Sequence, residues 1–122
     1  MEEYEYHIQR AKRSYLAFKL LKSRKLLEDA LSRGYYAILH IGFALLLKNN
    51  LNLPKTHAGL VVKLWSNREK LNLDKEIIKQ ISRFQVLRES GDYAAIPAVE
   101  KKDIDSIEKV IKKLFTVLGE DV

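Results

Sequence analysis

The sequence contains no cysteine, and it has few of the residues that interrupt helices. Without cysteine among its 122 residues, disulfide bonds, thiol chemistry and cysteine-ligated zinc are all excluded. Only five glycines and two prolines punctuate the chain, and no window shows the alternation of β-branched residues that is typical of strands. The chain is therefore predicted to be all-helical.

Long apolar runs are also missing. The longest uninterrupted run is IGFALLL at residues 41–47, far short of the roughly 20 residues that cross a bilayer. The opening stretch, MEEYEYHIQR, is acidic and amphipathic and has no apolar signal-peptide region. With no export signal and no cysteine, we expect a cytoplasmic location and no membrane partner.

Basic residues outnumber acidic ones by 22 to 16, which leaves a formal net charge of +6. The length and the 47% apolar content predict one globular domain over residues 1–122. The surplus of positive charge is compatible with a polyanionic partner such as RNA. A solvated, lysine-rich surface is the other interpretation, because 15 of the 22 basic residues are lysine and none form a long run.

Apolar residues at spacings of three and four predict five helices. Their expected ranges are about 3–22, 25–48, 57–69, 74–90 and 99–118. Asp74 is suited to cap the start of the fourth helix, and Gly119 is suited to end the fifth. Short connections between long amphipathic segments predict an all-α, antiparallel up-and-down helical bundle of four long helices plus one shorter helix.

The second predicted helix has two opposite faces when its residues are placed roughly 100° apart. One face is apolar and is predicted to enter the core, with Gly34 allowing a close helix approach. The other face carries a row that we call the polar ridge: Asp29, Arg33, Tyr36, His40 and Phe43. Either its polar tips find partners within their own bundle, or the ridge lines a shared interface or cleft, and spacing alone leaves both open.

Arg88 stands where the apolar stripe of the fourth helix should continue. The preceding members of that stripe are Ile77, Ile81 and Phe84. An arginine at such a position must be paired, must reach solvent with its tip, or must point into a cleft. Asp92 and Tyr93 can both reach back toward it. The alternative is a pair with Asp92 or Glu89 that only closes the helix end, whereas Arg83 points away and is predicted to face solvent.

Metal and cofactor signatures are absent from the sequence. His7, His40 and His57 lack metal-ligand spacing, and no glycine-rich phosphate loop precedes a helix. We therefore predict neither a metal nor a cofactor. In PKTHAG, residues 54–59, a helix start offers free amides to a phosphate, but capping by Thr56 is the simpler interpretation.

Three stretches, taken together, resemble the HEPN family of small helical-bundle domains. They are SRGYYAILH at residues 32–40, LPKTHAGL at 53–60 and LRESGDY at 87–93. The likeness is to stand-alone prokaryotic HEPN proteins of the kind paired with a minimal nucleotidyltransferase. The resemblance implies a bundle that forms a homodimer, with the polar ridges of two protomers facing a shared cleft.

The resemblance also implies a chemistry. Many family members are metal-independent RNA endonucleases that act as toxins, with the nucleotidyltransferase as antitoxin, and their catalytic motif is an arginine followed four to six residues later by a histidine. Arg88 matches the arginine, but no histidine follows His57, and the corresponding place holds Asp92, Tyr93 or Ala94. Related toxins are silenced by nucleotide attachment to a tyrosine near this motif, which makes Tyr93 a candidate for modification.

The main hypothesis is therefore a dimeric HEPN-like protein of a toxin–antitoxin-type system. It would bind a nucleotide, RNA or a nucleotidyltransferase partner in a cleft between protomers. The candidate ligand- and phosphate-binding residues are Arg33, Tyr36, Arg88, Asp92 and Tyr93. One alternative is an active RNA endonuclease in which Arg88 stabilises phosphate charge and His40 replaces the missing histidine. Another is a pure protein-interaction module whose ridge only buries a dimer interface.

Overall fold

The structure of the protein, a computed structural model, describes residues 2–93 and 99–122, and the side chains of all of these except 90–93. The regular elements in those ranges are five helices: α1 (Glu3–Ser23), α2 (Leu27–Lys48), α3 (His57–Ser66), α4 (Lys75–Tyr93) and α5 (Lys101–Leu118). Four are long and α3 is short. The predicted all-α bundle is confirmed.

Helix α2 lies at the centre of the bundle and contacts each of the other four helices. It runs antiparallel to α1, so that His7 meets His40 at one end of the pair and Phe18 meets Gly34 nearer the other. The predicted core face of α2 is buried, because it packs against the apolar stripes of its neighbours. The largest buried side chains of the core include Phe18, Leu31, Ile38, Ile41, Leu45, Phe84 and Phe115.

Gly34 lies where α1, α2 and α5 come into close contact. A Cβ atom on Gly34 would lie 2.6 Å from Ile107 Cγ2 of α5 and 2.9 Å from Phe18 Cδ2 of α1. Neither distance is tolerated by carbon atoms in van der Waals contact. The predicted close approach at this glycine is therefore confirmed, and it draws α2 into the core along the face opposite the polar ridge.

Side-chain caps fix the starts of two helices where the sequence predicted them. Thr56 Oγ1 accepts a hydrogen bond from the backbone N–H of Gly59 at 3.0 Å. Asp74 Oδ1 accepts one from the backbone N–H of Glu76 at 2.8 Å. Each cap satisfies an amide that has no partner within its own helix. At the start of α3, the capping interpretation of Thr56 is thus confirmed.

Several helix ends differ by one to three residues from the expected ones, among them the end of α3, which lies at Ser66 instead of residue 69. Helix α4 continues through Gly91 to Tyr93, three residues beyond its expected end at residue 90, and a glycine inside a helix costs only about 1 kcal/mol. Helix α5 begins at Lys101, later than expected. Its start is set by Asp103, whose Oδ2 accepts a hydrogen bond from the backbone N–H of Glu100 at 2.9 Å. Gly119 ends α5 as predicted, with φ +84° in the left-handed region.

Arg83 is exposed as predicted, but it also forms an ion pair that the sequence did not indicate. Its Nη2 donates to Asp103 Oδ1 at 2.8 Å, while the Asp103 side chain is only 9% exposed. The Asp103 carboxylate therefore makes two interactions, since it also accepts the backbone N–H of Glu100 at the start of α5. This contact links α4 to α5 across the end of the bundle.

Helix α2 is long and apolar enough to cross a membrane by length and composition alone. Within the bundle, however, 67% of that stretch is buried. A helix at the centre of a small bundle must be apolar on several sides because it is covered on several sides. The central position accounts for the hydropathy of α2.

Candidate functional site

The polar ridge lies on the side of α2 that faces away from the core. Asp29 and Arg33 are exposed, whereas Tyr36, His40 and Phe43 are half-buried. Tyr36 and Phe43 also pack against the edge of the core. The predicted separation of ridge and core face is confirmed, and the ridge offers both charged and aromatic groups to its surroundings.

Helix α4 brings Arg88 to the middle of the ridge. Arg88 Nη2 donates a hydrogen bond to Tyr36 Oη at 3.3 Å, and its guanidinium carbon lies 5.1 Å from the centroid of the Tyr36 ring. The guanidinium carbon of Arg33 lies 5.9 Å from the same centroid. Both distances are within the range of cation–π attraction. Two arginines from different helices therefore share one tyrosine ring, which places three of the predicted site residues together.

Two buried polar atoms near this cluster lack hydrogen-bond partners among the described residues: Tyr35 Oη and Arg88 Nε. Tyr35 is only 1% exposed, and the Arg88 guanidinium carbon lies 5.8 Å from its ring centroid. Burial raises the pKa of Tyr35 to about 12, so the hydroxyl keeps its proton at neutral pH. An unsatisfied buried polar group costs about 1–3 kcal/mol. An ordered water molecule is a usual partner of such a group.

The alternative explanation for Arg88, a pair with Glu89, is not what the structure contains. Glu89 is exposed, and the ion pairs within the described ranges do not join it to Arg88. Asp92 and Tyr93 lie in the last turn of α4, but their side chains are outside the described residues. Their contacts with Arg88 or with a ligand stay predictions, as does the place of Ala94.

His40 is paired with a second histidine across the α1–α2 interface. Its Nδ1 lies 2.9 Å from Nδ1 of His7, so one ring must donate its proton while the other accepts. Phe43 packs against both imidazoles, with ring centroids 5.1 Å from His7 and 5.9 Å from His40. Tyr6 covers the pair with edge-on contacts. His40 thus has a partner within its own bundle, and its Nδ1 is not free.

The environment of the pair keeps both histidines neutral. Burial lowers the pKa of His40 to about 4, and the nearby His7, Arg10 and His57 act in the same direction. Burial also lowers the pKa of His7, against an opposing effect of Glu3. A histidine that is neutral at pH 7 is a poor proton donor there. This environment does not favour His40 as the replacement for a catalytic histidine.

Sequence reasoning missed His7, although a signal for it exists. His7 lies three residues after Tyr4 and four before Ala11, so it shares the apolar stripe of α1 and is buried. A histidine on a stripe must find a partner for its ring nitrogen. Within the described residues, no group of three or more His, Asp or Glu side chains is arranged to hold a metal ion.

The comparisons with known proteins agree over nearly the whole chain. Residues 4–121 match the HEPN domain family. A Methanocaldococcus jannaschii protein named "Putative toxin" is 33% identical over 125 residues, covering 93% of this chain and 92% of the relative. A "UPF0332 protein" from Archaeoglobus fulgidus is 33% identical over 112 residues, covering 92% and 86%. Another from Thermotoga maritima is 32% identical over 124 residues, covering 90% and 92%.

The matched region includes every described helix, from α1 to α5. It therefore covers the polar ridge on α2 and Arg88 on α4, as well as the core that positions them. The sequence resemblance rested on three short stretches, whereas the family match and the relatives span the full bundle. The chain belongs to the HEPN family.

Proposed function

We propose that this protein is a toxin-like HEPN protein that binds RNA or a nucleotide through Arg88, Tyr36 and Arg33. The ligand would lie in a cleft formed by two protomers of a homodimer. The name of the Methanocaldococcus jannaschii relative supports a toxin-type role. We further propose a cytoplasmic setting, with a small nucleotidyltransferase as the antitoxin partner.

The observation that carries the proposal is that the guanidinium groups of Arg88 and Arg33 both lie within cation–π distance of the Tyr36 ring. Arginine is the side chain best suited to phosphate, because its planar guanidinium presents several donors in a fixed geometry. Arg88 is half-buried, and the ion pairs within the described ranges do not join a carboxylate to its guanidinium, which supports a phosphate as the partner of this charge. The tyrosine ring holds both cations near each other and offers a surface on which a base can stack.

The endonuclease alternative receives less support than binding. Cleavage through the 2′-hydroxyl needs a group that transfers a proton as well as one that stabilises phosphate charge. Arg88 can supply the second function. His40 is engaged with His7 at 2.9 Å and its pKa falls to about 4, so it is a weak candidate for the first. The proposal is therefore an RNA- or nucleotide-binding protein rather than a nuclease that uses His40.

Replacement of Arg88 by glutamine is expected to weaken RNA binding about tenfold, because one charge-assisted phosphate contact is worth about 1.5 kcal/mol. Binding is measured by fluorescence anisotropy of a labelled single-stranded RNA at fixed salt. Arg83→Gln is the matched control on the same helix, since Arg83 is exposed and pairs with Asp103 instead. Equal loss of affinity in the two variants would rule out a specific site at Arg88.

Competition separates RNA from a free nucleotide as the ligand. If mononucleotides displace the labelled RNA from the wild-type protein at micromolar concentration, the site is sized for one nucleotide. If only RNA competes, contacts must extend beyond the Arg88 cluster. In either case the affinity for the competing ligand must fall about tenfold in Arg88→Gln for the proposal to hold.

Sedimentation velocity is expected to show a dimer at micromolar concentration. The half-buried aromatic groups of the ridge, Tyr36 and Phe43, are apolar surfaces that a second protomer would cover. Arg33→Glu places a negative charge on the ridge and should shift the protein toward monomer. Lys109→Glu, on the exposed face of α5, is the charge-matched control. A wild-type monomer at these concentrations would contradict the two-protomer cleft.

A further inference from the structure

A groove lined by arginines lies between α1 and α2, beside the polar ridge. Its volume is ≈ 420 Å³, and its lining residues are Arg10, Arg13, Ser14, Ala17 and Arg33. Three guanidinium groups from two helices therefore surround one depression. The other two lining residues are small, so the groove has room for a group between the arginine side chains.

The charges of this groove are not neutralised by neighbouring carboxylates. Within the described ranges, the cations that form ion pairs are Lys12, Lys22, Arg83 and Lys102. None of the three groove arginines is among them, even though Asp29 precedes Arg33 by one helical turn. Like charges held close together without counter-charges repel one another unless an anion joins them.

The distribution of arginine in the chain is also uneven. The sequence has only seven arginines against 15 lysines, and four of the seven are Arg10, Arg13, Arg33 and Arg88. A generally basic, solvated surface would draw on the abundant lysines. Arginine binds phosphate with a planar, multi-donor geometry that lysine lacks. The groove is therefore better explained as an anion site than as a solvated surface.

Arg33 connects the groove to the Arg88 cluster. It lines the groove, and its guanidinium carbon lies 5.9 Å from the Tyr36 ring. Arg88 reaches the other end of the same tyrosine through a hydrogen bond to its hydroxyl. Basic groups therefore follow one another from α1 across α2 to α4. Consecutive phosphates of a nucleic-acid strand would meet consecutive cations along this line.

We infer that the groove of Arg10, Arg13 and Arg33 is a second phosphate-binding site, which holds the backbone of an RNA strand whose neighbouring nucleotide reaches Arg88. The inference rests on the proposed function and extends it to a strand of more than one nucleotide. The groove would supply affinity without base recognition, because contacts to phosphate groups carry no sequence information. The ligand is single-stranded RNA, and a free polyphosphate shares only the phosphate chemistry.

The test measures the salt dependence of RNA binding in the double variant Arg10→Gln, Arg13→Gln. Each phosphate contact on a single strand contributes about 0.7 to the slope of log K against log salt. We expect the slope to fall by about 1.4 and the affinity at low salt to fall about tenfold. Lys109→Gln, Lys113→Gln removes two exposed charges from α5 and serves as the control, with an unchanged slope.

The outcomes separate this inference from the proposed function. If Arg88→Gln weakens binding but the double variant matches the α5 control, the groove is not a phosphate site and the proposed function stands. If neither Arg88→Gln nor the double variant weakens RNA binding, the proposed function and the second phosphate site are both wrong. Should the wild-type protein not bind RNA, inorganic triphosphate is titrated into ¹⁵N-labelled protein. Shifts confined to the amides around Arg10, Ser14 and Arg33 would then support a polyphosphate site, and unshifted amides there would overturn it.

Discussion

Replacing Gly34 with valine is expected to lower the free energy of unfolding by about 3 kcal/mol. Even a Cβ atom would lie 2.6 Å from Ile107 Cγ2 and 2.9 Å from Phe18 Cδ2. Both neighbours are 0% exposed, so neither can turn into solvent to make room. The helices α1 and α5 must therefore separate from α2, which disturbs packing around the central helix. Urea denaturation followed by circular dichroism measures the loss.

Two comparison variants isolate the steric cause. Gly34→Ala adds only the Cβ atom and gains about 1 kcal/mol of helix propensity, so its net loss should be clearly smaller than that of valine. Lys109→Val introduces the same β-branched residue at an exposed position of α5. A change within about 0.5 kcal/mol is expected there. Similar stabilities for Gly34→Val and Lys109→Val would contradict the three-helix contact.

The free energy of unfolding is expected to fall by about 2 kcal/mol as the pH is lowered from 6.5 toward 4. In the unfolded chain His40 takes up a proton near its ordinary pKa of 6.5, whereas burial lowers its pKa to about 4 in the folded protein. The unfolded state therefore binds more protons in this window, and acid favours it. Each pKa unit corresponds to about 1.4 kcal/mol, and the solvent contact of the half-buried ring reduces the full amount.

Loss of the His7–His40 hydrogen bond also lowers the free energy of unfolding as the pH falls. One Nδ1 must accept while the other donates, so the bond at 2.9 Å cannot survive when both rings are protonated. Burial lowers the pKa of His7 as well. The contribution of His7 to the free energy of unfolding is likewise present above its pKa in the unfolded chain, and it is lost as the pH falls.

Urea midpoints at pH 7, 6 and 5 test this prediction with a double variant, His7→Phe, His40→Phe, which keeps two rings in place. The pH dependence should be much weaker in that variant, while Lys109→Gln, at an exposed position of α5, should behave like the wild type. Burial opposes the ionisation of Glu108, but its bonds with Lys22 hold the pKa of that carboxyl below its usual range. It therefore contributes at lower pH than the histidines. A wild-type slope that persists in the double variant would assign the effect to other groups.

Much of the bundle could be predicted from local patterns. The apolar stripes recur every three or four residues, two helices begin where Thr56 and Asp74 provide caps, and α5 ends at Gly119. These signals act within one helix or one turn, so they can be recognised in the sequence. At the start of α5 the prediction was off by two residues, because the Asp103 side chain accepts the backbone N–H of Glu100 and fixes the first turn there.

The candidate site also has features that helical spacing predicts and features that depend on how the helices pack. The position of Arg88 on an apolar stripe and the ridge of Arg33, Tyr36 and His40 follow from helical spacing, whereas the contact of Arg88 with Tyr36 within one protomer depends on how α4 packs against α2. The pairing of His7 with His40 could not be predicted with confidence from spacing, since it depends on the register of α1 against α2. The same register places Arg10 and Arg13 beside Arg33.

The sequence by itself determined the helical class, the core face of α2 and the close approach at Gly34. These depend on residue type and on the 3.6-residue period, which are properties of single helices. Only the tertiary structure decided that His40 is paired with His7, that Arg83 is joined to Asp103, and that three arginines surround one groove. Those contacts join residues distant along the chain, and they exist because packing of the core sets how each helix lies against its neighbour.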